Sequence, residues 1–285
     1  MKSLLGFLNL VSTALAACNG HDALCSRRYS NITYMGAHNS AFDGFTPFHN
    51  QFVSVTQQLD LGVRFLQAQT QEKKGHPQMC HSHCWALDEG PLEDYLSKIS
   101  DWLDENPDEV VTLLLTNIDA IPVEKFDDAF KKTGLRDYAF HPEKRLAKGD
   151  WPTLQEIIDL GTRLIVFMDY NMDEGKVPYI MDQFKHWWET PFGITDDSFP
   201  TCAVDRPNKG DPNKLMGIMN HMLNYKVLSI VFPNMDSAIK TNSEKSIDAQ
   251  VKRCVDEHKV QPNVVLLDWI NVGQAFRVAK TINGL

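Results

Sequence analysis

The sequence predicts a single α/β domain in which short strands alternate with amphipathic helices, the pattern of a (β/α)8 barrel or a doubly wound parallel sheet. Three observations carry this. Short apolar runs recur along the 285 residues, several of them apolar at every position, as strands covered on both faces are. Helical periodicity fills the segments between them. No glycine-rich phosphate-binding fingerprint follows the first strand, which disfavours the dinucleotide-binding sheet. No Ser/Gly-rich or Pro-rich linker and no repeat divides the chain, so one domain is expected.

The elements follow in order. Residues 1–17, "MKSLLGFLNLVSTALAA", place a lysine before an apolar run and small residues before Cys18, the layout of a secretory signal peptide. The run is too short to span a membrane. Strands are expected at 32–37 (ITYMGA), 63–69 (VRFLQAQ), 77–80 (PQMC), 110–115 (VVTLLL), 163–168 (RLIVFM), 227–232 (VLSIVF) and 264–268 (VVLLD). In "PLEDYLSKISDWLDENP" the residues Leu92, Tyr95, Leu96, Ile99, Trp102 and Leu103 share one helical face, with Pro91 at the start and Pro107 past the end. Further helices are expected at 122–133, 177–189, 212–224 and 243–258, and the C-terminal "NVGQAFRVAKTINGL" is amphipathic without the unbroken apolar tail of a lipid-anchor signal. The domain therefore runs over 18–285.

Charge and cysteines bound the setting. The chain carries 28 basic and 37 acidic side chains, a net charge of −9, and loss of the leader with Lys2 makes the balance 27 against 37. Such a surface does not seek nucleic acid or anionic membrane by bulk electrostatics. All six cysteines lie after the proposed cut, which fits an oxidising compartment; of the 15 pairings open to them, 18–25, 80–84 and 202–254 are expected. "NIT" at Asn31 is a glycosylation acceptor. A secreted, extracellular monomer is expected.

In a barrel, chemistry gathers where strands end at the C-terminal face. That selects His38, Asn39, Gln67, Gln69, His81, Thr116, Asn117, Asp169 and Asp268. One histidine is weak support, and with ten in the chain most are surface or packing residues. Two at the ends of early strands are stronger, because one neutral and one charged imidazole can share a proton-transfer task near neutral pH. Asp268, closing the last strand, would lie beside the first strand in a closed barrel and hold His38 in one tautomer.

"GAHNSAF", "LDLGVRFLQAQTQ", "MCHSHCWALDEGPLEDYLSKISDWLDENPDEVVTLLLTN", "RLIVFMDYN" and "VVLLDWINVG" together resemble the X domain of phosphatidylinositol-specific phospholipase C, most closely the secreted fungal members of the PLC-like phosphodiesterase superfamily. The resemblance runs from about Asn31 to Asn271. It implies a TIM-type barrel in which a histidine base draws a proton from the substrate's own hydroxyl, which attacks phosphorus, while a second histidine protonates the leaving alkoxide. His38 matches the base, His81 the acid and Asp268 the aspartate that orients the base. Asn39 matches the metal-binding asparagine of the calcium-dependent branch, but Gln67, Gln69 and Thr116 stand where that branch places acidic ligands, and calcium prefers charged carboxylates. The metal-free branch has an arginine at the position of Gln69. No cofactor is therefore expected, and developing charge would fall to neutral donors such as Asn39, Gln67 and Gln69 beside a protonated histidine. Asn117 and Asp169 complete the expected substrate contacts, with Asp169 reading equally as a cap of the loop that follows its strand.

Other readings stand beside these. "CHSHC" (80–84) has the ligand types of a zinc site, but five residues wrap one ion tetrahedrally with difficulty, and a disulfide is favoured there. Arg64 reads as a structural pair and His83 as a loop residue. Trp187 and Trp188 read as core on a helix, with Trp85 and Phe48 near loops as candidates for peripheral lipid contact. The leading expectation is a secreted, metal-independent phosphoric diester hydrolase acting on an inositol-type phosphodiester or phospholipid headgroup. The alternative is a catalytically silent barrel that binds a carbohydrate or lipid headgroup in the same cleft.

Overall fold

The computed structural model describes residues 17–228 and 230–285, so the expected leader lies outside the described residues apart from Ala17. Among the described residues there are twelve strands: β1 Tyr34–Ala37, β2 Phe65–Lys73, β3 His76–Cys80, β4 Asp88–Pro91, β5 Val111–Asn117, β6 Leu164–Met168, β7 Ile180–Asp182, β8 Trp187–Glu189, β9 Met216–Asn220, β10 Asn224–Val227, β11 Ile230–Pro233 and β12 Val264–Leu267. Eight form the curled parallel wall of a TIM-type barrel in the order β7-β6-β5-β2-β1-β12-β9-β8. The first strand does lie beside the last, with Ala37 level with Leu267 on one side and Leu66 on the other.

Among the described residues no ladder joins β7 to β8, so the wall stays open there. Only the four-residue helix Gln183–His186 separates them. A crossover between paired parallel strands needs about a dozen residues or more.

Side-chain parity divides the core into two layers, because successive strand residues face opposite sides. Tyr34, Phe65, Leu114, Ile165, Phe167, Ile218, Val264 and Leu266 fill the barrel together with Trp151 and Tyr29. Met35, Leu66, Leu113, Val166 and Val265 face outward against the helices. Gly36 is an inner-layer position where a Cβ would meet Leu266 at 2.9 Å and Val264 at 3.0 Å.

The helix Leu92–Glu105 shows how the outer layer forms. Leu92, Leu96, Ile99 and Leu103 are fully buried, Glu93 and Asp94 complement the first turn, and the chain leaves at Asn106 ahead of Pro107. Each such leucine contributes about 1.5–3 kcal/mol by leaving water. The helices Val123–Lys132, Glu244–His258 and Ala275–Asn283 also fall where periodicity placed them.

Three expected elements differ. Residues 177–189 and 212–224 carry β7, β8 and β9 rather than two long helices, because pairing with β6 and between β8 and β9 overrides their amphipathic spacing. Gly217 was the warning: it is a poor helix residue, and its missing side chain makes room for Trp188, whose ring a Cβ would approach at 2.7 Å. Trp187 and Trp188 are core, but on a strand. The apolar run at 227–232 belongs to no barrel strand; it forms most of the antiparallel hairpin β10–β11.

The disulfides are Cys18–Cys25, Cys80–Cys84 and Cys202–Cys254. The last ties the polar stretch 195–214 to the helix Glu244–His258 across a separation of 52 residues, a closure that stabilises the fold by about 4 kcal/mol through the unfolded chain. With both sulfurs of "CHSHC" joined, the zinc alternative is removed.

Candidate active site

Parity sorts the expected residues. The inward positions at the C-terminal strand ends, His38, Gln67, Gln69, Thr116 and Asp169, line a cavity of about 470 Å³, closed below by Leu114, Ile218 and Leu266. Asn39 and Asn117 are one residue out of phase and are fully buried away from it. Asn39 turns the chain out of β1 at φ 48°, a conformation asparagine tolerates, and its Nδ2 donates to Asn50 Oδ1 at 3.0 Å. Asn117 closes the loop after β5, donating from Nδ2 to the Ile121 carbonyl and accepting the Ile121 N–H at Oδ1. Neither contacts the cavity, which corrects both expectations.

His38 Nδ1–H donates to Asp268 Oδ1 at 2.7 Å, and Asp268 is buried. Asn50 Nδ2 donates to the same oxygen at 2.9 Å, so Asn39, Asn50, Asp268 and His38 form one chain of hydrogen bonds. The arrangement fixes the His38 tautomer and leaves Nε2 without a protein partner among the described residues. Gln51 secures the backbone, donating from Nε2 to the carbonyls of His38 and Leu267. Nothing in the sequence flagged Asn50 or Gln51, which lie in the loop after β1 with no strand-end position to select them.

His81 is not among the residues that line this cavity; its neighbour Ser82 is, and the segment arrives by a different route. The strand before it, β3, is an antiparallel return from the extension of β2 rather than a barrel strand. Its Nδ1–H donates to the Phe48 carbonyl at 2.6 Å, and its ring stacks on Phe42 with centroids 5.3 Å apart. Burial holds its pKa below the ordinary histidine value, with the nearby His38 acting in the same direction and Asp268 opposing. The two imidazoles therefore lie within electrostatic range of each other.

Gln67 and Gln69 hold these two segments. Gln67 Oε1 accepts the Asn39 N–H at 2.8 Å, directly after His38, and Gln69 Oε1 accepts the Ser82 N–H at 3.2 Å, directly after His81. With their oxygens so engaged, the amide nitrogens are the ends left for the cavity, two donors suited to an anion.

The opposite wall holds an arginine, which adds a second charged donor to the expected neutral amides and protonated histidine. Arg206 comes from the disulfide-tethered loop, not from a strand end, which is why strand-end reasoning missed it. Its Nε pairs with Glu189 Oε1 at 2.6 Å, and its guanidinium lies over the rings of Phe184 and Phe192. Burial raises the Glu189 carboxyl, against the pull of Arg206 and Asn220. Burial likewise pushes Asp169 up to about 6, opposed by the Asn117 N–H on its Oδ1 at 2.8 Å and by the Arg206 charge. A calcium ion does not fit this donor set: Gln67, Gln69 and Thr116 are neutral, Asn39 is turned away, Glu189 is engaged by Arg206, and Asp169 is left as a single carboxylate. Among the described residues no three His, Cys, Asp or Glu side chains converge as a metal cage.

The described residues include no helix long and apolar enough to cross a membrane. The family model PI-PLC X matches residues 24–283. A "PI-PLC X domain-containing protein 1" of Arthroderma benhamiae is 48% identical over 94% of this chain and 90% of its own length. An "uncharacterized secreted protein" of the same organism is 40% identical over 94% of this chain and 64% of its own length. Among solved structures, a phosphatidylinositol-specific phospholipase C from Listeria monocytogenes superposes with a TM-score of 0.60 over 90% of this chain and 94% of that one. At 14% identity this likeness speaks for the fold.

Proposed function

We propose that this chain, which belongs to the PI-PLC X family, is a secreted phosphodiesterase of phospholipase C type that cleaves an inositol-type phosphodiester without a metal. The observation that carries it is the anchoring of two imidazoles through Nδ1–H, His38 on Asp268 in the cavity wall and His81 on the Phe48 carbonyl, next in the chain to the cavity-lining Ser82. Both rings then offer Nε2 for proton transfer. The name of the 40% identical relative and the three disulfides support secretion, with residues 1–17 as the leader and 18–285 as one barrel domain.

In the reaction, His38 Nε2 takes the proton of a substrate hydroxyl adjacent to the phosphodiester. That oxygen attacks phosphorus, the bond to the leaving oxygen breaks, and His81 gives its Nε2 proton to the departing alkoxide. The products are a cyclic phosphate and an alcohol. Asp268 stabilises the His38 imidazolium, while Gln67, Gln69 and Arg206 offer donors to the phosphate oxygens. Burial keeps His81 neutral in the free site at neutral pH, and the negative charge of a bound phosphodiester restores the proton it must donate.

The pairing of Arg206 with Glu189 favours a second reading, since it leaves the cavity little net positive charge: a silent barrel that binds a sugar or lipid headgroup. Purified protein is screened against phosphoinositides, glycosylated inositol phospholipids and simple phosphodiesters, with the double variant His38→Ala/His81→Ala as control. Turnover by the wild type that the double variant lacks supports the enzyme. Turnover that survives in the variant overturns the assignment, and saturable binding without turnover gives the second reading.

A further inference from the structure

Within a run of four residues the loop after β1 reaches both imidazoles. The Phe48 carbonyl accepts from His81 Nδ1–H, Asn50 donates to Asp268, and Gln51 donates to the His38 carbonyl. The remaining member of that run, His49, takes no part in the reaction described above. It is buried, although Phe45, Thr46, Pro47 and Phe48 before it are all exposed.

The segment "GFTPFH" (44–49) builds a socket for the His49 ring. The Thr46 N–H and the Thr46 hydroxyl both meet His49 Nδ1, at 3.3 and 2.6 Å. A ring nitrogen that accepts a backbone N–H carries no proton, so the neutral ring holds its hydrogen on Nε2, the reverse of His38 and His81. That Nε2 lies 3.6 Å from Glu89 Oε1 on β4. Gly44 forms the other wall: a Cβ there would stand 2.5 Å from Nε2, so a side chain at this position would expel the ring. The Gly44 N–H donates to the Gln51 carbonyl at 2.8 Å and closes the base of the loop.

The socket fixes one peptide plane. His49 N–H donates to the Thr46 carbonyl at 3.1 Å, closing a β-turn in which Pro47 takes the position its fixed φ suits. Phe48 N–H donates to Thr46 Oγ1 at 3.4 Å, the hydroxyl whose own proton goes to the His49 ring. In a trans peptide the N–H and the carbonyl point to opposite edges. With the His49 N–H held toward Thr46, the Phe48 carbonyl is aimed away from the turn, where it meets His81 Nδ1–H at 2.6 Å.

We propose that His49 is a positioning residue for His81: its ring locks the turn Thr46–His49 and so aims the Phe48 carbonyl that holds His81 through Nδ1. His81 Nε2 is thereby kept for the leaving group. The inference deepens the phosphodiesterase reading and rests on it only for the kinetic half of its test.

That test uses phosphatidylinositol as the probe substrate, while the imidazole nitrogen signals in NMR report the His81 tautomer without turnover. His49→Ala should lower kcat by about tenfold, a part of what general acid catalysis is worth, with KM little changed. On a His81→Ala background the same substitution should cost nothing further, because both act through one group. His49→Asn, which keeps an acceptor near the place of Nδ1, should recover most of the loss. Thr46→Val, at an exposed residue, should give part of the same loss and serves if His49→Ala does not fold. In either of these two variants the His81 signals should leave the Nδ1–H form for a mixture of tautomers. An equal fall in kcat on both backgrounds, a change confined to KM, or His81 signals that stay in the Nδ1–H form would each overturn the proposal. Absence of turnover by the wild type would sink the catalytic reading instead, and the His81 signals would still decide what His49 does.

Discussion

The two ends of the barrel are made by the same strands and treat their polar groups in opposite ways. At the N-terminal end the polar groups are consumed by the protein. Arg64 pairs with Glu109 at 2.6 Å and donates to the carbonyls of Leu59 and Val63; Tyr29 and Thr112 bond inside the barrel; Asn263 donates to the Ser30 carbonyl and accepts the Gly217 N–H. At the C-terminal end Gln67, Gln69 and His38 each spend one end of the side chain on the protein and line the cavity, and His81, one residue before the cavity-lining Ser82, spends only Nδ1. Satisfied polar groups hold a fold together, while half-satisfied ones are ready for a ligand. What distinguishes a site from a core here is the unmet hydrogen-bonding capacity of otherwise similar residues.

The largest effect that would sharpen this contrast is expected at the mouth. His38→Ala or His81→Ala should lower turnover by about a hundred- to ten-thousand-fold, with a smaller loss of stability in calorimetry than a stranded ion-pair partner gives, because Asn50 still donates to Asp268 when the His38 ring is gone. A large loss of stability in either variant would break the contrast. Next comes the opposite end: Arg64→Ala strands Glu109 in a half-buried setting, and chemical denaturation should show a loss of about 3–5 kcal/mol. Turnover per folded molecule should be unaffected, since the pair lies at the far end of the strands.

These two ends were not equally legible in the sequence. Strand ends are marked by hydrophobic runs, so His38, Gln67, Gln69, Asp169 and Asp268 could be picked out, and the wall positions followed from apolar runs such as "VVTLLL" and "RLIVFM". Choosing strand-end pairs without tracking parity admitted Asn39 and Asn117, which a strict alternation from Tyr34 or Thr112 places outside the barrel. Arg206 and Asn50 were invisible because they come from long loops whose paths depend on a disulfide and on backbone bonds formed only in the folded chain. The hairpin at 224–233 misled for another reason: an apolar run shows that a segment avoids water, not which surface will cover it.

A smaller effect tests how the mouth is held. Asn50→Ala removes one of the two donors to Asp268 Oδ1 and the acceptor of Asn39 Nδ2. A hydrogen bond to a charged group is worth about 1.5–3 kcal/mol, and part of this should appear as roughly a tenfold fall in kcat with KM little changed, because the residue positions His38 without touching substrate. A change confined to KM would show that Asn50 belongs to the binding surface instead.

The smallest effect concerns protons at the mouth. In the free protein, burial holds the His81 pKa below 6.5, and the sign follows from which form is charged: desolvation disfavours the imidazolium, so the ring loses its proton at lower pH than an exposed histidine. If His81 is the acid, kcat/KM, which reports the free enzyme, should begin to fall on its alkaline side below pH 6.5. The profile of kcat reports the bound complex, where the phosphodiester charge favours the imidazolium, so its alkaline limb should lie at higher pH. Asp169, pushed up to about 6, titrates in the same region, and Asp169→Asn should remove its contribution to substrate binding while leaving the separation between the two limbs in place. Coincident alkaline limbs for kcat and kcat/KM in both proteins would mean that the substrate does not recharge His81, and the proton for the leaving group would have to come from elsewhere at the mouth.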